Sequence, residues 1–480
     1  MPVETVRCLV TGATGYVGRR LVPRLLDAGY QVRALARDPD KLAAVPWRAN
    51  TDVVRGDLDD LDSLVRAFDG MDVVYYLVHS MGTSGDFSAE EDRSAKNVVT
   101  AARSAGVRRL VYLGGLHPID EQLSRHLTSR ASVGTLLLDS GIETVVLQAG
   151  VVVGSGAASF ELVRHLTEVL PVMTTPKWVH NKIQPIAISD ALHYLVEAAA
   201  VDIPESRLWD IGGPDVLEYA DMMQVYAQVA GLRRRRMLVL PLLTPALASL
   251  WVGLVTPIPS GMARPLVESL QSDAVMNDHD IDTVIAPPAG GLTPYRTAVA
   301  LALNQVATAE VDAERSDVAG FNAPSESLLS DPVWAGPVVY SDDRTTSIPA
   351  GADQLWKVVE SAASRDHWYS FPISWPTSRR GADRWTVEVR QPGSLLRMRT
   401  DFRVPVDAWL EVAVSPNGGT ETRYRQSAKV FPRGLGGRLY WHLLRPVHAL
   451  TLRRMAKAIV RGSHIRTGPV AVPGHRELSL

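Results

Sequence analysis

Residues 9–19 read Leu9-Val10-Thr11-Gly12-Ala13-Thr14-Gly15-Tyr16-Val17-Gly18-Arg19, and this stretch decides the fold. It connects the apolar run 6–10, typical of a buried strand, to residues 17–28, in which apolar residues recur at helical spacing. Three glycines in such a turn suit a dinucleotide, because one makes the tight turn, one admits a pyrophosphate, and one lets the helix pack against the strand. The helix N-terminus adds free N–H groups. The stretch therefore predicts a dinucleotide site, and an ordinary glycine-rich turn is the alternative.

The first 150 residues alternate short apolar runs with segments of helical spacing. Strands are predicted at Val6–Val10, Gln31–Leu35, Asp52–Arg55, Val73–Leu77, Leu110–Leu113 and Thr144–Leu147. Helices are predicted at Val17–Ala28, Leu61–Phe68, Ala89–Ser104 and Arg130–Ser140. This alternation is typical of parallel strands joined by right-handed crossovers. We expect an α/β fold built on a Rossmann-type doubly wound parallel sheet, with its ligand at the carboxyl ends of the strands.

The residue after the second predicted strand favours one cofactor. An acidic residue there would bind the ribose hydroxyls of NAD, whereas Arg37 offers a cationic fork to a 2′-phosphate. We therefore predict NADP(H) and keep NAD(H) as an alternative, because Asp38 follows directly. A solvated surface arginine is the other interpretation of Arg37. After the third strand, Asp57 is predicted either to accept from the adenine amino group or to cap the next helix.

Composition bounds the class of protein. The chain has 480 residues, of which 46% are hydrophobic, so two or three domains with sizeable cores are expected. The formal net charge of −2 argues against bulk nucleic-acid binding. Cys8 is the single cysteine, which excludes an intrachain disulfide, and the histidines lack metal-ligand spacing, so no metal site is predicted. We expect a cytoplasmic protein without a signal peptide.

Charge is spread unevenly along the chain. From Tyr340 onward there are 22 Lys and Arg against 12 Asp and Glu, whereas the preceding part has 28 against 40. One interpretation is two domains that attract each other, and the other is a basic domain that meets an anionic lipid or ligand.

Residues 237–263 carry no charged side chain and follow four arginines, Arg233 to Arg236. The length is that of a membrane span, but four prolines interrupt it and leave only about 12 residues of unbroken helix, roughly 18 Å. A helix buried over an apolar substrate and a helix lying on a membrane surface are the interpretations left open, the second implying a peripheral membrane contact.

The C-terminal part has a different pattern. Residues 303–340 have the composition of a linker between a first domain, 1–302, and a second domain, 341–462, with 463–480 as a tail. Antiparallel strands are predicted at Trp385–Arg390, Leu395–Thr400, Ala408–Val414 and Glu421–Ala428, with a hairpin turn at 416–419 and a closing helix at Tyr440–Val460. We expect a smaller α+β domain that encloses an apolar cavity.

Several motifs within residues 5–300 carry a family resemblance. They are Thr11-Gly12-Ala13-Thr14-Gly15-Tyr16-Val17-Gly18, Gly56-Asp57-Leu58, Val73-Val74-Tyr75-Tyr76-Leu77-Val78-His79-Ser80-Met81, Val111-Tyr112-Leu113-Gly114-Gly115-Leu116, His126-Leu127-Thr128-Ser129-Arg130 and Leu170-Pro171-Val172-Met173. They resemble atypical members of the extended short-chain dehydrogenase/reductase family, the NmrA-like branch. Phe431-Pro432-Arg433-Gly434-Leu435 and Tyr440-Trp441-His442 make residues 333–462 similar to an uncharacterised domain with a START-like helix-grip fold.

The resemblance also exposes a departure. Active members of that family use a Tyr-x-x-x-Lys pair and a serine, whereas this chain has His126 and Arg130 at that spacing and glycines near the serine position. His126 is the candidate for proton exchange near neutral pH, and Arg130 is the candidate for binding ribose or phosphate. A solvated, non-catalytic pair is the alternative, and His79 and Ser80, which follow the fourth strand, are second candidates. 

The predictions combine into three functions. The first is an NADPH-dependent reductase of a small apolar carbonyl or quinone-like substrate, the second a non-catalytic NADP(H) sensor or assembly factor, and the third a lipid or quinone carrier that uses the C-terminal cavity. The predicted cofactor contacts are Gly12, Thr14, Gly15, Tyr16, Val17, Gly18, Arg37, Asp57, Leu58, Leu77 and His79.

Overall fold

The computed structural model describes residues 5–79, 87–118, 123–239, 252, 256–258, 260–312, 340–363, 385–400, 405–416, 421–432 and 434–464. The chain divides into two compact units, Met1–Gly336 and Pro337–Leu480. The predicted boundaries at 302 and 340 stay predictions.

A parallel sheet forms the frame of the first unit. The strands described in this unit are β1 Arg7–Val10, β2 Gln31–Ala36, β3 Asp52–Arg55, β4 Val73–Tyr76, β5 Arg109–Gly115, β6 Glu143–Ala149, β7 Val152–Val153, β8 Val172–Thr175, β9 Lys182–Ile183, β10 Ile186–Ala187, β11 Arg207–Ile211, β12 Leu217–Glu218 and β13 Arg236–Val239. Seven of them pair in parallel in the order β11-β6-β5-β4-β1-β2-β3. The strand order reverses between β1 and β4, which is where a doubly wound sheet opens its ligand crevice.

Helices cover both faces of this sheet. The helices described in this unit are α1 Tyr16–Asp27, α2 Leu61–Phe68, α3 Phe87–Ala105, α4 Arg125–Leu138, α5 Ala158–Val169, α6 Ile188–Glu197, α7 Tyr219–Val229, α8 Ser260–Ser269 and α9 Tyr295–Asp312. Alternate residues of each strand face opposite cores, because side chains alternate along a strand. Val10 and Val111 pack with α1 and α6 on one face, and Leu9 and Leu110 pack with α2, α3 and α4 on the other. The predicted Rossmann-type doubly wound fold is confirmed.

Helix α4 begins earlier than the predicted start at Arg130. Ser124 caps it, since the Ser124 hydroxyl oxygen accepts from the Leu127 N–H at 3.2 Å. A serine at this position supplies an acceptor to the first turn, whose N–H groups have no partner within the helix. The early start places both His126 and Arg130 on one helix.

A third apolar core lies beyond the carboxyl ends of β5 and β6. It combines residues that follow those strands, such as Leu116 and Val151, with helices α5, α7, α8 and α9. Helix α9 continues to Asp312, into the segment predicted as a linker. Most of the uncharged run 237–263 lies outside the described residues. No helix in the described part of the chain is both long and apolar enough to cross a membrane.

The second unit is an antiparallel sheet with two helices. Its strands are β14 Tyr340–Ile348, β15 Trp385–Gln391, β16 Leu395–Thr400, β17 Val406–Pro416 and β18 Thr422–Pro432, and its helices are α10 Ala352–Ala363 and α11 Gly434–His464. The strands pair in the order β14-β18-β17-β16-β15. Leu410 and Val412 of β17 share one core with Leu355 of α10 and Leu452 of α11. The predicted α+β class is confirmed, while β14 and α10 fall where no element was predicted.

Candidate cofactor and active site

The three glycines of the loop after β1 each stand where a Cβ would come within 3.1 Å of a backbone oxygen. Gly12 has φ +69°, and a Cβ on it would lie 2.9 Å from the Leu77 carbonyl oxygen. A Cβ on Gly18 would lie 2.3 Å from the Gly12 carbonyl oxygen, and one on Gly15 would lie 3.1 Å from the same atom. The sequence therefore folds this loop tightly under the first turn of α1, which is the cradle that a pyrophosphate needs.

The N-terminus of α1 is open to a ligand. Gly15 is the N-cap residue, with φ −82° and ψ 172°, and no side chain caps the helix there. The first turn contains no acidic residue. Since the N–H groups of Tyr16, Val17 and Gly18 have no acceptor within the helix, this end offers donors and a positive dipole end to a phosphate. Thr14 precedes the cap and is partly buried. The residues present therefore fit the diphosphate of a dinucleotide.

Thr11 ties the glycine loop to the end of β4. Its hydroxyl donates to the Tyr75 carbonyl oxygen at 2.9 Å, and its Oγ1 accepts from the Leu77 N–H at 3.2 Å. The partly buried Leu77 packs on the core that α1 shares with the sheet. Gly12 and Leu77 therefore lie side by side where β1 and β4 end, and the predicted contact of Leu77 with a cofactor stays a prediction. Thr11 was missed as a positioning residue, although its place between strand and glycine was a usable signal.

Arg37 is exposed just beyond β2, and the described residues give its side chain no hydrogen-bond or ionic partner. The neighbouring Asp38 is occupied locally, since its carboxylate accepts from the Asp40 N–H at 3.3 Å and caps the helical turn 39–42. A carboxylate held in a cap is less available to a ribose hydroxyl than a free one is. At this strand end Asp38 is therefore engaged in a local cap, whereas Arg37 is unengaged within the described residues, and the contact of either with a ribose stays a prediction.

Asp57 lies after β3 but does not cap α2. The N-cap residue is Asp60, which accepts from the Ser63 N–H at 3.2 Å. The Asp57 carboxylate accepts from the Asp59 N–H at 3.2 Å, and Leu58 is buried beside it. The capping alternative for Asp57 is therefore wrong, because the helix starts one turn later, and the predicted adenine contact stays a prediction.

Asn97 of α3 fixes the loop that carries Asp57 and Leu58. Its side-chain amide donates to the Leu58 carbonyl oxygen at 2.8 Å. This bond joins α3 to the chain beyond β3, across 39 residues. Asn97 therefore has a structural role beside the predicted cofactor contacts.

His79 and Arg130 meet at the carboxyl ends of β4 and β5. The Arg130 Nη2 donates to the Leu113 carbonyl oxygen at 3.0 Å and to the His79 Nε2 at 3.2 Å. A guanidinium can only donate, so His79 Nε2 is the acceptor and the ring is neutral. Burial, followed by the charge of Arg130, lowers the pKa of His79 well below its ordinary value.

One donor of the Arg130 guanidinium is unused within the described part of the chain. Its Nε–H is buried and has no hydrogen-bond partner among the described residues. Both Nε and Cζ lie 3.7 Å from the point where a Cβ on Gly115 would stand. A half-buried cation with a buried N–H of this kind is suited to hold a negative oxygen, because a hydrogen bond to a charged group is about twice as strong as a neutral one.

His126 is buried on the same helix as Arg130. Burial and, secondly, the positive charge of Arg130 lower the pKa of His126 to about 3. This differs from the expected exchange near neutral pH, because the sequence could not show that the ring is withdrawn from water beside a guanidinium. At pH 7 both His126 and His79 are neutral, so neither is an imidazolium acid.

Further polar groups near α4 were missed. The Ser129 hydroxyl donates to the Glu91 carboxylate in a short hydrogen bond between two buried side chains, which joins α4 to α3. Gly114 and Gly115 end β5 and offer no hydroxyl, as the sequence shows. The described residues hold no group of three or more His, Cys, Asp or Glu side chains arranged for a metal ion.

The loop at 154–156 packs against the side chains of Tyr16 and Arg20 of α1. A Cβ on Gly154 would collide with the Tyr16 ring hydroxyl, and the Arg20 guanidinium donates to the Ser155 carbonyl oxygen at 3.1 Å. Underneath, the buried Glu161 carboxylate accepts from the Gly156 N–H at 2.8 Å. Tyr16, which the sequence predicts as a cofactor contact, packs against both the core between the sheet and α1 and the core beyond β5 and β6.

Residues 12–148 match the model of a family described as NAD(P)H-binding. This part of the chain is an NAD(P)H-binding domain. Residues 374–455 match a family described as a protein of unknown function, DUF2867. The second match leaves the START-like resemblance a prediction.

Curated relatives of the first domain include dehydrogenases and reductases. A 3 beta-hydroxysteroid dehydrogenase/Delta 5→4-isomerase of Mycobacterium tuberculosis is 35% identical over 122 residues, which are 23% of this chain and 32% of the relative. A (4-alkanoyl-5-oxo-2,5-dihydrofuran-3-yl)methyl phosphate reductase of Streptomyces griseus is 42% identical over 105 residues, 22% of this chain and 33% of that protein. The match therefore spans about a third of the length of these curated relatives.

A solved structure shares the fold of the first unit. A nucleoside-diphosphate-sugar epimerase of Staphylococcus aureus superposes with a TM-score of 0.50 at 15% identity and covers 62% of this chain and 100% of its own. At that identity the likeness concerns the fold alone.

Proposed function

We propose that this protein is an NADP(H)-dependent oxidoreductase that reduces a small apolar carbonyl or quinone-like substrate, with Arg130 as the group that stabilises the developing oxyanion. The observation that carries the proposal is the half-buried guanidinium of Arg130, whose Nε is buried, at the ends of β4 and β5 on the sheet edge that also bears the glycine loop. A nicotinamide dinucleotide seated on that loop would supply a hydride to the substrate carbon.

The chain's own residues perform the remaining work. Arg130 would donate hydrogen bonds to the carbonyl oxygen, which gains negative charge as the hydride adds to carbon. His79 accepts from the Arg130 Nη2 at 3.2 Å and thereby fixes the guanidinium plane. Since His126 and His79 are both neutral at pH 7, the proton that completes the alcohol comes from water. The apolar Leu116 and Val151, just beyond β5 and β6, support an apolar substrate.

The preference for NADP(H) rests on Arg37 and Asp38. The exposed guanidinium of Arg37 can pair bidentately with a 2′-phosphate, and the Asp38 carboxylate is already used in a cap. In this proposal Asp57 accepts from the adenine amino group, and Gly12, Gly15 and Gly18 admit the diphosphate.

A test measures NADPH oxidation by wild type and Arg130→Gln with a panel of aldehydes, ketones and quinones. Loss of one oxyanion donor lowers kcat by about 10²–10³-fold, while the affinity for NADPH should change little. Arg125→Gln is the matched control, because Arg125 is exposed on the same helix. Equal rates in Arg130→Gln and wild type would contradict the role given to Arg130.

One observation favours a second candidate, a non-catalytic NADP(H)-binding sensor. The helix position of the family tyrosine holds His126, whose pKa is about 3, and the serine position falls on Gly114 or Gly115. Tight NADPH binding without oxidation by any acceptor would select this candidate over the reductase.

A further inference from the structure

The long helix of the second unit carries an apolar stripe on its outer side. The four residues Leu439, Leu443, Val447 and Leu450 expose 54%, 75%, 36% and 48% of their surface. Their separations of four, four and three residues place them within about 80° of arc around α11. An isolated exposed leucine needs no explanation, but an aligned set on one helix is typical of an interaction surface.

The opposite side of α11 accounts for its packing in the fold. The buried residues of the helix are Tyr440, Trp441, Leu444, His448, Leu452, Met455 and Ile459. They contact the sheet and α10 in the two cores of the second unit. The outer stripe is therefore surplus to the fold of this unit, and replacing its residues removes no core contact.

The charge of α11 has one sign. Residues 434–464 contain six Lys and Arg and no Asp or Glu. Arg453, Arg454 and Lys457 are exposed one to two turns beyond the stripe, and within the described ranges they have no acidic partner. The exposed side of the helix thus combines an apolar half with a cationic half.

We propose that this face of α11 binds the surface of an anionic lipid bilayer. The leucines and the valine enter the boundary between headgroups and acyl chains, while the cations pair with lipid phosphates. A second copy of the chain fits less well, because it would bring two cationic helices together. A nucleic acid would satisfy the cations but would leave the apolar residues in water.

The contact is peripheral. The stripe is about 17 Å long at about 1.5 Å per residue, and the core of the second unit occupies the other side of the helix. The helix therefore lies in the plane of the membrane surface.

The experiment measures flotation of the full chain with vesicles of phosphatidylcholine, with and without phosphatidylglycerol. Wild type should bind the anionic vesicles, and added salt should weaken that binding. Leu443→Gln with Leu450→Gln should lower the partition coefficient at least tenfold. Arg454→Gln with Lys457→Gln should lower it about 30-fold, since each cation near an anionic surface contributes about fivefold.

The matched control is Leu238→Gln, which changes a leucine that is 56% exposed in the first unit. It should bind vesicles like wild type. Loss of vesicle binding in Leu238→Gln, with wild-type binding in the α11 variants, would place the membrane contact in the uncharged run 237–263 and overturn the proposal. Absence of wild-type binding would also overturn it. The proposal would likewise be overturned if the full chain formed a dimer that Leu443→Gln abolishes and did not bind vesicles, since the partner of α11 would then be a second copy of the chain.

Discussion

Because Gly18 lies close to Gly12, Gly18→Ala should destabilise the protein although alanine has a higher helix propensity than glycine. Gly18→Ala and Gly134→Ala both replace a helical glycine, and in an unconstrained helix each would stabilise by about 0.8–1.0 kcal/mol. A Cβ at Gly134 meets its nearest atom at 3.6 Å, which is ordinary contact. A Cβ at Gly18 meets the Gly12 carbonyl oxygen at 2.3 Å and the Ala13 Cα at 2.9 Å. The first variant must therefore displace backbone, and the second displaces nothing.

The magnitude follows from that overlap. The 2.3 Å separation is about 1 Å inside ordinary contact, which begins at 3.4 Å. Forcing a methyl group into packed backbone costs about 3 kcal/mol, so the net loss for Gly18→Ala is about 2 kcal/mol after the gain in propensity. At about 2–4 °C per kcal/mol, Tm should fall by about 4–8 °C, whereas Gly134→Ala should raise it by about 2–4 °C.

Calorimetric titration with NADPH and thermal unfolding check this prediction together. Moving the glycine loop by about 1 Å should weaken NADPH binding about 100-fold in Gly18→Ala, while Gly134→Ala should bind like wild type. Wild-type affinity for NADPH in Gly18→Ala, or Tm shifts of the same sign in both variants, would contradict the predicted clash at Gly18.

The remaining predictions concern charge. In calorimetric titration, Arg37→Ala should weaken the binding of NADPH by about 1–3 kcal/mol and leave the binding of NADH nearly unchanged. An equal loss of affinity for both cofactors would contradict the 2′-phosphate contact. Because folding lowers the pKa of His126 from 6.5 to about 3, its contribution to stability is complete above pH 6.5 and is lost as the pH falls towards 3. The free energy of unfolding of wild type, measured with denaturant, should therefore fall by about 2 kcal/mol more between pH 7.5 and 5 than that of His126→Gln. The same pH dependence in both proteins would contradict a buried, neutral His126 ring. In thermal unfolding, Glu161→Gln should lower the free energy of unfolding by about 3 kcal/mol, since it removes a carboxylate 3.5 Å from the buried Arg164. Arg264→Ala should cost less than about 1 kcal/mol in the same measurement, because it breaks an exposed ion pair.

The local pattern of the sequence was sufficient for the fold of the first unit. Strands β1 to β6 and helices α1 to α3 lie close to their predicted positions, because a central strand such as β4, buried along its whole length, is continuously apolar and a glycine-rich turn demands glycine whatever surrounds it. Boundaries were less accurate: α4 begins at Arg125 rather than Arg130, since the cap at Ser124 lies outside the apolar repeat. In the second unit, β14 and α10 were missed. Strand β14 is almost wholly polar, so it lacks the alternation of apolar and polar residues that indicates a strand.

The candidate site depended on contacts between distant parts of the chain. The sequence supplied Gly12, Gly18, Arg37 and Arg130 as residue types, because their chemistry is legible from one segment at a time. Only the tertiary structure brought Arg130 to His79, 51 residues away, and buried His126 beside the same charge. Burial and Coulomb interaction set a pKa, and both are properties of neighbours in space. The sequence thus determined where a dinucleotide can sit, and folding decided which side chains meet beyond β4 and β5 and which protonation state their burial favours.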